Sequence, residues 1–151
     1  AYNIKVISGK AAKLGFDNRV NAVQKDAFDD ASYKGYLADN AENSSSRPFD
    51  VAIASGVFEL FTDNALVSTA LQGISKSLAS NGYLLYTNQP WHPEQEFISK
   101  TLNNHRGSSW VMRCRSQAEM DQLVVQAGFK KLDMRIDRFG IFTVSLAIKI
   151  D

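Results

Sequence analysis

The sequence predicts an α/β domain built on a mostly parallel sheet and closed by an antiparallel hairpin. Three observations lead there. The apolar runs "FDVAIAS" (49–55) and "YLLYT" (83–87) have the character of strands buried on both faces, as in a parallel sheet. Between and after them lie stretches with helical spacing of apolar residues. The last two strand-like segments, 129–136 and 141–150, are joined by "DRFG", short enough for a hairpin.

The elements follow in order. Ile4, Ile7, Ala11 and Leu14 fall at helical spacing, and Gly15 stands where a glycine would end that helix. "RVNAVQ" (19–24) reads as a short strand ending near Asp26, with a weak helix around 30–38. "DNAENSSSRP" (39–48) is a polar loop closed by Pro48, too short to divide the chain, so 1–151 is expected to be one domain. After the strand at 49–55, Asp63 can cap a helix whose core stripe is Leu66, Val67, Ala70, Leu71, Ile74 and Leu78, closed by "SNG" at 80–82. A strand at 83–87 precedes a helix at 94–103 after Pro93. "SQAE" (116–119) forms a capping box for a helix through Met120, Leu123, Val124 and Ala127, ended by Gly128.

Composition narrows the function. With 151 residues, 44% of them hydrophobic and 22% charged, the chain can build one substantial core. A net charge of +1 argues against a protein that works by gripping nucleic-acid backbone. No apolar run reaches the roughly 18 residues of a membrane helix, and the first residues lack the pattern of a signal peptide. The single cysteine, Cys114, has no partner for an internal disulfide, and no Cys/His cluster has zinc spacing. The expected compartment is the cytoplasm, with no metal and no membrane partner.

In an open parallel sheet, ligands bind at the carboxyl ends of the strands, where helix N-termini point their N–H groups. Asp26, Ala27 and Phe28 stand at the first such end; Ser55, Gly56, Phe58 and Glu59 at the second; Asn88, Gln89, Trp91 and His92 at the third. Right-handed crossovers put all three on one edge. Asp26 can accept from an amine or a ribose, or cap its own chain. Gly56 admits a ligand close to the backbone, or makes a tight turn. Glu59, between Phe58 and Leu60, is suited to acid/base work if buried; otherwise it is a solvent-facing carboxylate.

In "PWHP", Pro90 and Pro93 stiffen the loop around Trp91 and His92. Trp91 can stack on a flat ligand or pack under the loop, and His92 can move a proton or merely fill the turn. Arg113, with Arg106 and Arg115, can hold an anionic group; the alternative, favoured for Arg106 and Arg115, is surface pairing with Glu94, Glu96 or Glu119. Arginines flanking Cys114 can lower its pKa, but no His/Asp partner set accompanies it. Neither G-x-G-x-x-G nor G-x-x-x-x-G-K-[ST] occurs.

Taken together, "KDAF" after a strand, "FDVAIASGVFELFTDN" and "NGYLLYTNQPWHP" resemble a class I S-adenosylmethionine-dependent methyltransferase. The resemblance is closest to the methyltransferases often fused behind an α/β-hydrolase domain, and "WVMRCRSQAEMDQLVVQAGF" and "GIFTVSLA" extend it over nearly the whole chain. It implies a Rossmann-like methyltransferase sheet and S-adenosylmethionine as the family's cofactor. Asp26, Ala27 and Phe28 would contact adenine, Ser55 and Gly56 would lie beside the methionine and methyl group, and Trp91 and His92 would lie on the substrate side. Glu59 or His92 would orient or deprotonate the methyl acceptor, and Arg113 would meet an anion.

The family's glycine-rich turn and ribose-binding acid align before Tyr2, so the first two strands of the sheet are expected to be missing from these 151 residues. The chain is then a fragment, or a protein without the cofactor-binding half, and is expected to be inactive alone; a non-catalytic interaction module on the same sheet is the alternative. The family's strand order is 3-2-1-4-5-7-6. The gap left by two absent strands should close, either by the 19–24 strand sliding in beside 49–55 or by pairing of two chains through the open edge. An upstream hydrolase or cofactor-binding half and a small-molecule substrate complete the expected partners.

Overall fold

A computed structural model of the protein describes residues 2–29, 32, 48–104 and 107–150. The helix expected at 30–38 and the loop at 39–48 lie outside the described residues apart from Ser32 and Pro48, as does Arg106.

Helix α1 spans Tyr2–Lys13, with Lys10 and Lys13 in its last turn, where cations complement the helix dipole. It ends as expected at Gly15, whose φ of 72° suits glycine. The strand expected at 19–24 does not form. After a turn at 17–19 the chain runs to Asp26 outside the sheet, with Val20 and Val23 exposed. This short run buries no apolar face, so nothing offsets the cost of ordering it in a ladder. It does not slide in beside the next strand. Asn21 and Val23 instead line a groove of about 420 Å³ with Phe49, Val51 and Ala52.

Strand β1 is Phe49–Ala54 and strand β2 is Leu78–Asn88, paired in parallel. Between them, helix α2 spans Asn64–Ser77, and Asp63 caps it by accepting a 2.8 Å hydrogen bond from the Ala65 N–H. Val67, Ala70 and Leu71 are buried as the stripe required, whereas Leu66 is exposed. The helix stops at Ser77 rather than at 80–82, and Leu78 already begins β2. The "SNG" stretch is an irregularity in the ladder: Phe49 pairs with Leu78, but Val51 pairs with Tyr83. Asn81 takes φ 61° to pass it, and a side chain at Gly82 would meet the Ala79 carbonyl at 2.9 Å.

Helix α3 spans Gln95–Thr101 and helix α4 spans Gln117–Gln126. The Ser116 hydroxyl caps α4 by accepting from the Glu119 N–H, and Gly128 ends it at φ 87°. Strands β3 (Phe129–Ile136) and β4 (Thr143–Lys149) form the expected hairpin, whose connection is held by Asp137, which accepts from the N–H groups of Ile141 and Phe142. The four-stranded sheet has the order β1-β2-β4-β3, with β4 antiparallel to both neighbours. That is the 4-5-7-6 part of the expected order.

The sheet is not buried on both faces. Ala54, Leu84, Tyr86 and Ala147 point to the side covered by α2 and α4, where they pack with Leu71, Met120 and others of one core. The outer side carries Val51 and Ile53, the latter 73% exposed. An apolar run reads the same whether one face or two will be covered, because its side chains alternate regardless.

Candidate functional site

The carboxyl ends of β1 and β2 are tied together by one hydrogen bond: the Gly56 N–H donates to Thr87 Oγ1 at 2.8 Å. The parallel register, Ala54 opposite Tyr86, sets Ser55 and Gly56 beside Thr87 and Asn88. Trp91 and His92 follow Asn88 after Gln89 and Pro90, so the two expected strand ends share one edge of the sheet. Gly56 is exposed at φ 66° and carries the bend out of β1.

Beyond Gly56 a single 3-10 turn, Phe58–Leu60, leads into α2. Glu59 on this turn is 6% exposed, and its Oε2 has no hydrogen-bond partner. Burial pushes its carboxyl above the ordinary range, against the lowering effects of its own backbone N–H and of Arg115. The other oxygen lies under Gly56, 3.7 Å from where a Cβ would stand.

The turn is held from below by Arg115, which is fully buried. Its guanidinium donates to the carbonyls of Phe58 (2.7 Å) and Phe61 (2.6 Å) and to Asn64 Oδ1 (2.8 Å). The expected surface pairing therefore belongs to Arg113, not to Arg115. Arg113 donates to the Thr62 carbonyl and forms an ion pair with Glu119, whose carboxyl is held below its usual range by the Asn64 amide and then by Arg113. Both guanidiniums are thus engaged within the protein. Burial raises the Cys114 thiol pKa, the reverse of the lowering expected from flanking arginines.

Backbone contacts join the same strip to both strand ends. The Arg113 N–H donates to the Glu59 carbonyl at 2.9 Å, and the Asn88 side-chain amide donates to the Arg115 carbonyl at 3.0 Å. Gln89, next along, is 2% exposed and its Oε1 has no partner.

Trp91 is 55% exposed and does not pack under its loop. His92 Nδ1 accepts from the Glu94 N–H at 3.1 Å, so the neutral ring carries its proton on Nε2. His92 lines a hollow of about 440 Å³ with Gln95, Ser99 and Met112, to which Glu59 does not contribute.

Asp26, Ala27 and Phe28 occupy the other flank. Asp26 Oδ1 accepts from the Phe28 N–H at 2.9 Å, which fixes a tight turn. The Phe28 ring meets Phe61 at 4.1 Å between centroids, tilted by 60°. With Val57 these residues border a cleft of about 740 Å³. Val57 and Phe61 come from the connection that also carries Glu59, a contribution the sequence pattern did not reveal. Among the described residues, the Asp26 cleft and the His92 hollow share no lining residue.

A four-stranded 4-5-7-6 sheet with its connections gathered at one carboxyl edge defines a methyltransferase-like domain. The chain belongs to the family described as "Putative methyltransferase", whose model matches residues 2–149. It is 45% identical over 144 residues to the uncharacterized protein YnbC of Escherichia coli K12; the match takes in 93% of the chain but 23% of YnbC. An O-methyltransferase family protein from Burkholderia thailandensis superimposes with a TM-score of 0.70 at 12% identity, over 97% of this chain and 41% of that one. Magnesium protoporphyrin IX methyltransferase from Synechocystis, solved with bound SAH, gives 0.52 at 12% identity, over 68% and 45%.

Proposed function

We propose that this chain supplies the adenine wall and the acceptor side of an S-adenosylmethionine-dependent methyltransferase domain. The observation that carries the reading is the cleft bordered by Asp26, Phe28, Val57 and Phe61, which opens beside the carboxyl end of β1. It has apolar walls for a flat ring and Asp26 at its border, a combination that suits adenine. In the reading, Asp26, Ala27 and Phe28 hold the ring, and Ser55 and Gly56 run past the methyl donor. The cofactor supplies a methyl group activated on a sulfonium, and such a transfer depends on alignment more than on reactive side chains.

Glu59 is the preferred group to orient the acceptor or take its proton, since it is buried at the edge and only partly satisfied. His92 is less suited, because Nδ1 is spent on its own turn. Trp91 is free to cover a substrate. Arg113 is the weakest assignment, given its ion pair with Glu119. We further propose a cytoplasmic setting; among the described residues no helix is long and apolar enough to cross a membrane.

The cleft offers few contacts by itself, and each charge-assisted hydrogen bond made elsewhere would be worth about 1.5–3 kcal/mol. The 151-residue chain alone should therefore bind S-adenosylmethionine weakly. Amide chemical shifts followed by NMR during titration with millimolar adenosine should move at 26–28, 57 and 61. No movement there would overturn the reading and favour a non-catalytic interaction module, for which the outward Val51 and Ile53 speak. A micromolar dissociation constant for S-adenosylmethionine, measured by calorimetry on this chain, would refute the expectation of weak binding.

A further inference from the structure

We propose that the hollow beside His92 binds a neutral ring compound carrying a hydroxyl group, a phenol for example, in preference to an ether or a carboxylate. Where the methyltransferase reading holds, this ring is the body of the methyl acceptor, and in that respect the inference rests on that reading. The hollow, about 440 Å³, lies between α3 with its leading turn and the extended strip at 111–112. Small-molecule sites run from roughly 300 to 1,000 Å³, so one or two rings fit. His92, Gln95, Glu96 and Ser99 line one side, three or four residues apart, and Pro93, Val111 and Met112 add apolar wall. The Gln95 side-chain amide donates to the Met112 carbonyl at 2.8 Å and ties the two sides together. The hollow belongs to the carboxyl edge of the sheet. Its strip continues into Arg113, whose N–H donates to the Glu59 carbonyl, and His92 comes soon after Asn88, the last residue of β2.

Hydrogen bonds already made within the protein decide which polar groups remain for a ligand. His92 Nδ1 accepts from the Glu94 N–H, so the ring offers Nε2–H, a donor. The Ser99 hydroxyl spends its proton on the Glu96 carbonyl, so its oxygen is left to accept. Gln95 spends an amide proton on Met112, and its Oε1 is likewise left to accept. A donor beside acceptors is matched by a hydroxyl, which accepts and donates at one atom; an ether oxygen only accepts, and an ammonium only donates. A carboxylate is disfavoured, because the lining includes the Glu96 carboxylate and, among the described residues, no cation; Lys100 on the same helix is already paired with Glu96. The remaining lining is apolar, and Trp91, Phe97 and Trp110, each next in the chain to a lining residue, are 55%, 61% and 36% exposed. Apolar surface left open around a hollow marks a place for an apolar body.

The test follows backbone amide shifts at 92, 95, 99 and 111 by NMR while the 151-residue chain is titrated with phenol, anisole or benzoate. Phenol should give saturable shifts in the millimolar range. Anisole, which lacks the O–H, should bind roughly five- to tenfold more weakly, the loss expected for one hydrogen bond. Benzoate should leave the shifts unchanged. Ser99→Ala and His92→Phe, both outside the core, should each reduce the preference for phenol over anisole several-fold. No saturable response to phenol, equal binding of the three probes, or a phenol preference untouched by both variants would overturn the inference. The adenosine titration reads the other flank separately. Adenosine shifts at 26–28 without a phenol response would leave the methyltransferase reading standing and remove this acceptor class. A phenol response without adenosine shifts would keep the hollow as a ligand site and remove the methyltransferase reading.

Discussion

Arg115 decides the shape of the edge more than any other single residue. Its charge is desolvated, yet each donor direction used meets an oxygen, two of them backbone carbonyls of the turn that presents Glu59. Arg115→Met keeps the bulk and removes these bonds, leaving buried carbonyls unsatisfied. A loss of about 3–5 kcal/mol in urea unfolding is expected. Arg115→Lys should recover little of it, since one ammonium cannot span the planar fork. Sequence alone sends this residue to the surface because arginine is seldom fully buried; only its three-dimensional partners reveal the exception. Glu59 was no more legible, since its neighbours Phe58 and Leu60, the latter itself exposed, left burial and a solvent-facing carboxylate both open. It and Glu119 should respond oppositely to pH. The folded-state pKa of Glu59 is raised, so its favourable contribution is present in acid and lost as pH rises through that pKa. The pKa of Glu119 is lowered, so its contribution is present at neutral pH and lost on acidification. Thermal melts should find Glu59→Gln more stable than the parent at neutral pH and Glu119→Gln less stable, with both differences shrinking in acid.

At the scale of elements, the reliable signals were those with a local mechanism. Asp63 before α2, Ser116 before α4 and Gly128 after it each act within a few residues, so the sequence carries the whole cause. Asp63→Ala should cost about 1 kcal/mol by removing its bond to the Ala65 N–H. Gly128→Ala should cost about 1–2 kcal/mol through the backbone alone, because the added Cβ would meet Ser75 Oγ only at an ordinary 3.6 Å. Denaturant midpoints of the two variants check both. Glu119 shows where a local motif yields to tertiary partners: the box predicts that its carboxylate turns back on the cap, and it goes to Asn64 and Arg113 instead. The strand expected at 19–24 failed for the complementary reason. Strand formation needs a neighbour, and nothing within "RVNAVQ" says whether one is available. Helix α2 passing straight into β2 was illegible as well, since the irregular stretch at Asn81 and Gly82 has the composition of an ordinary turn.

At the scale of the whole molecule, α2 and α4 cover one side of the sheet, and among the described residues β1 exposes Val51 and Ile53 on the other. This strand lies at the end of the sheet, with Val51 and Ile53 directed outward. Such an edge invites another chain. The 151-residue chain is expected to self-associate as its concentration rises, and Ile53→Lys should suppress this in sedimentation velocity without lowering the melting temperature of the monomer. Equal association by the variant would place the contact elsewhere. The strip at 113–115 has a further bearing, on the order in which the protein comes into being. As the chain leaves the ribosome, β1 and β2 are complete long before Arg113 and Arg115 appear, yet these two residues fasten the connections beyond both strands. Until they arrive, a nascent chain holds the carboxyl edge of the sheet without these fastenings, and its Glu59 turn lacks the bonds from Arg113 and Arg115. The candidate edge is therefore a late product of synthesis, finished by a segment that lies 51 and 57 residues downstream of Asn64 and Phe58 and 27 downstream of Asn88.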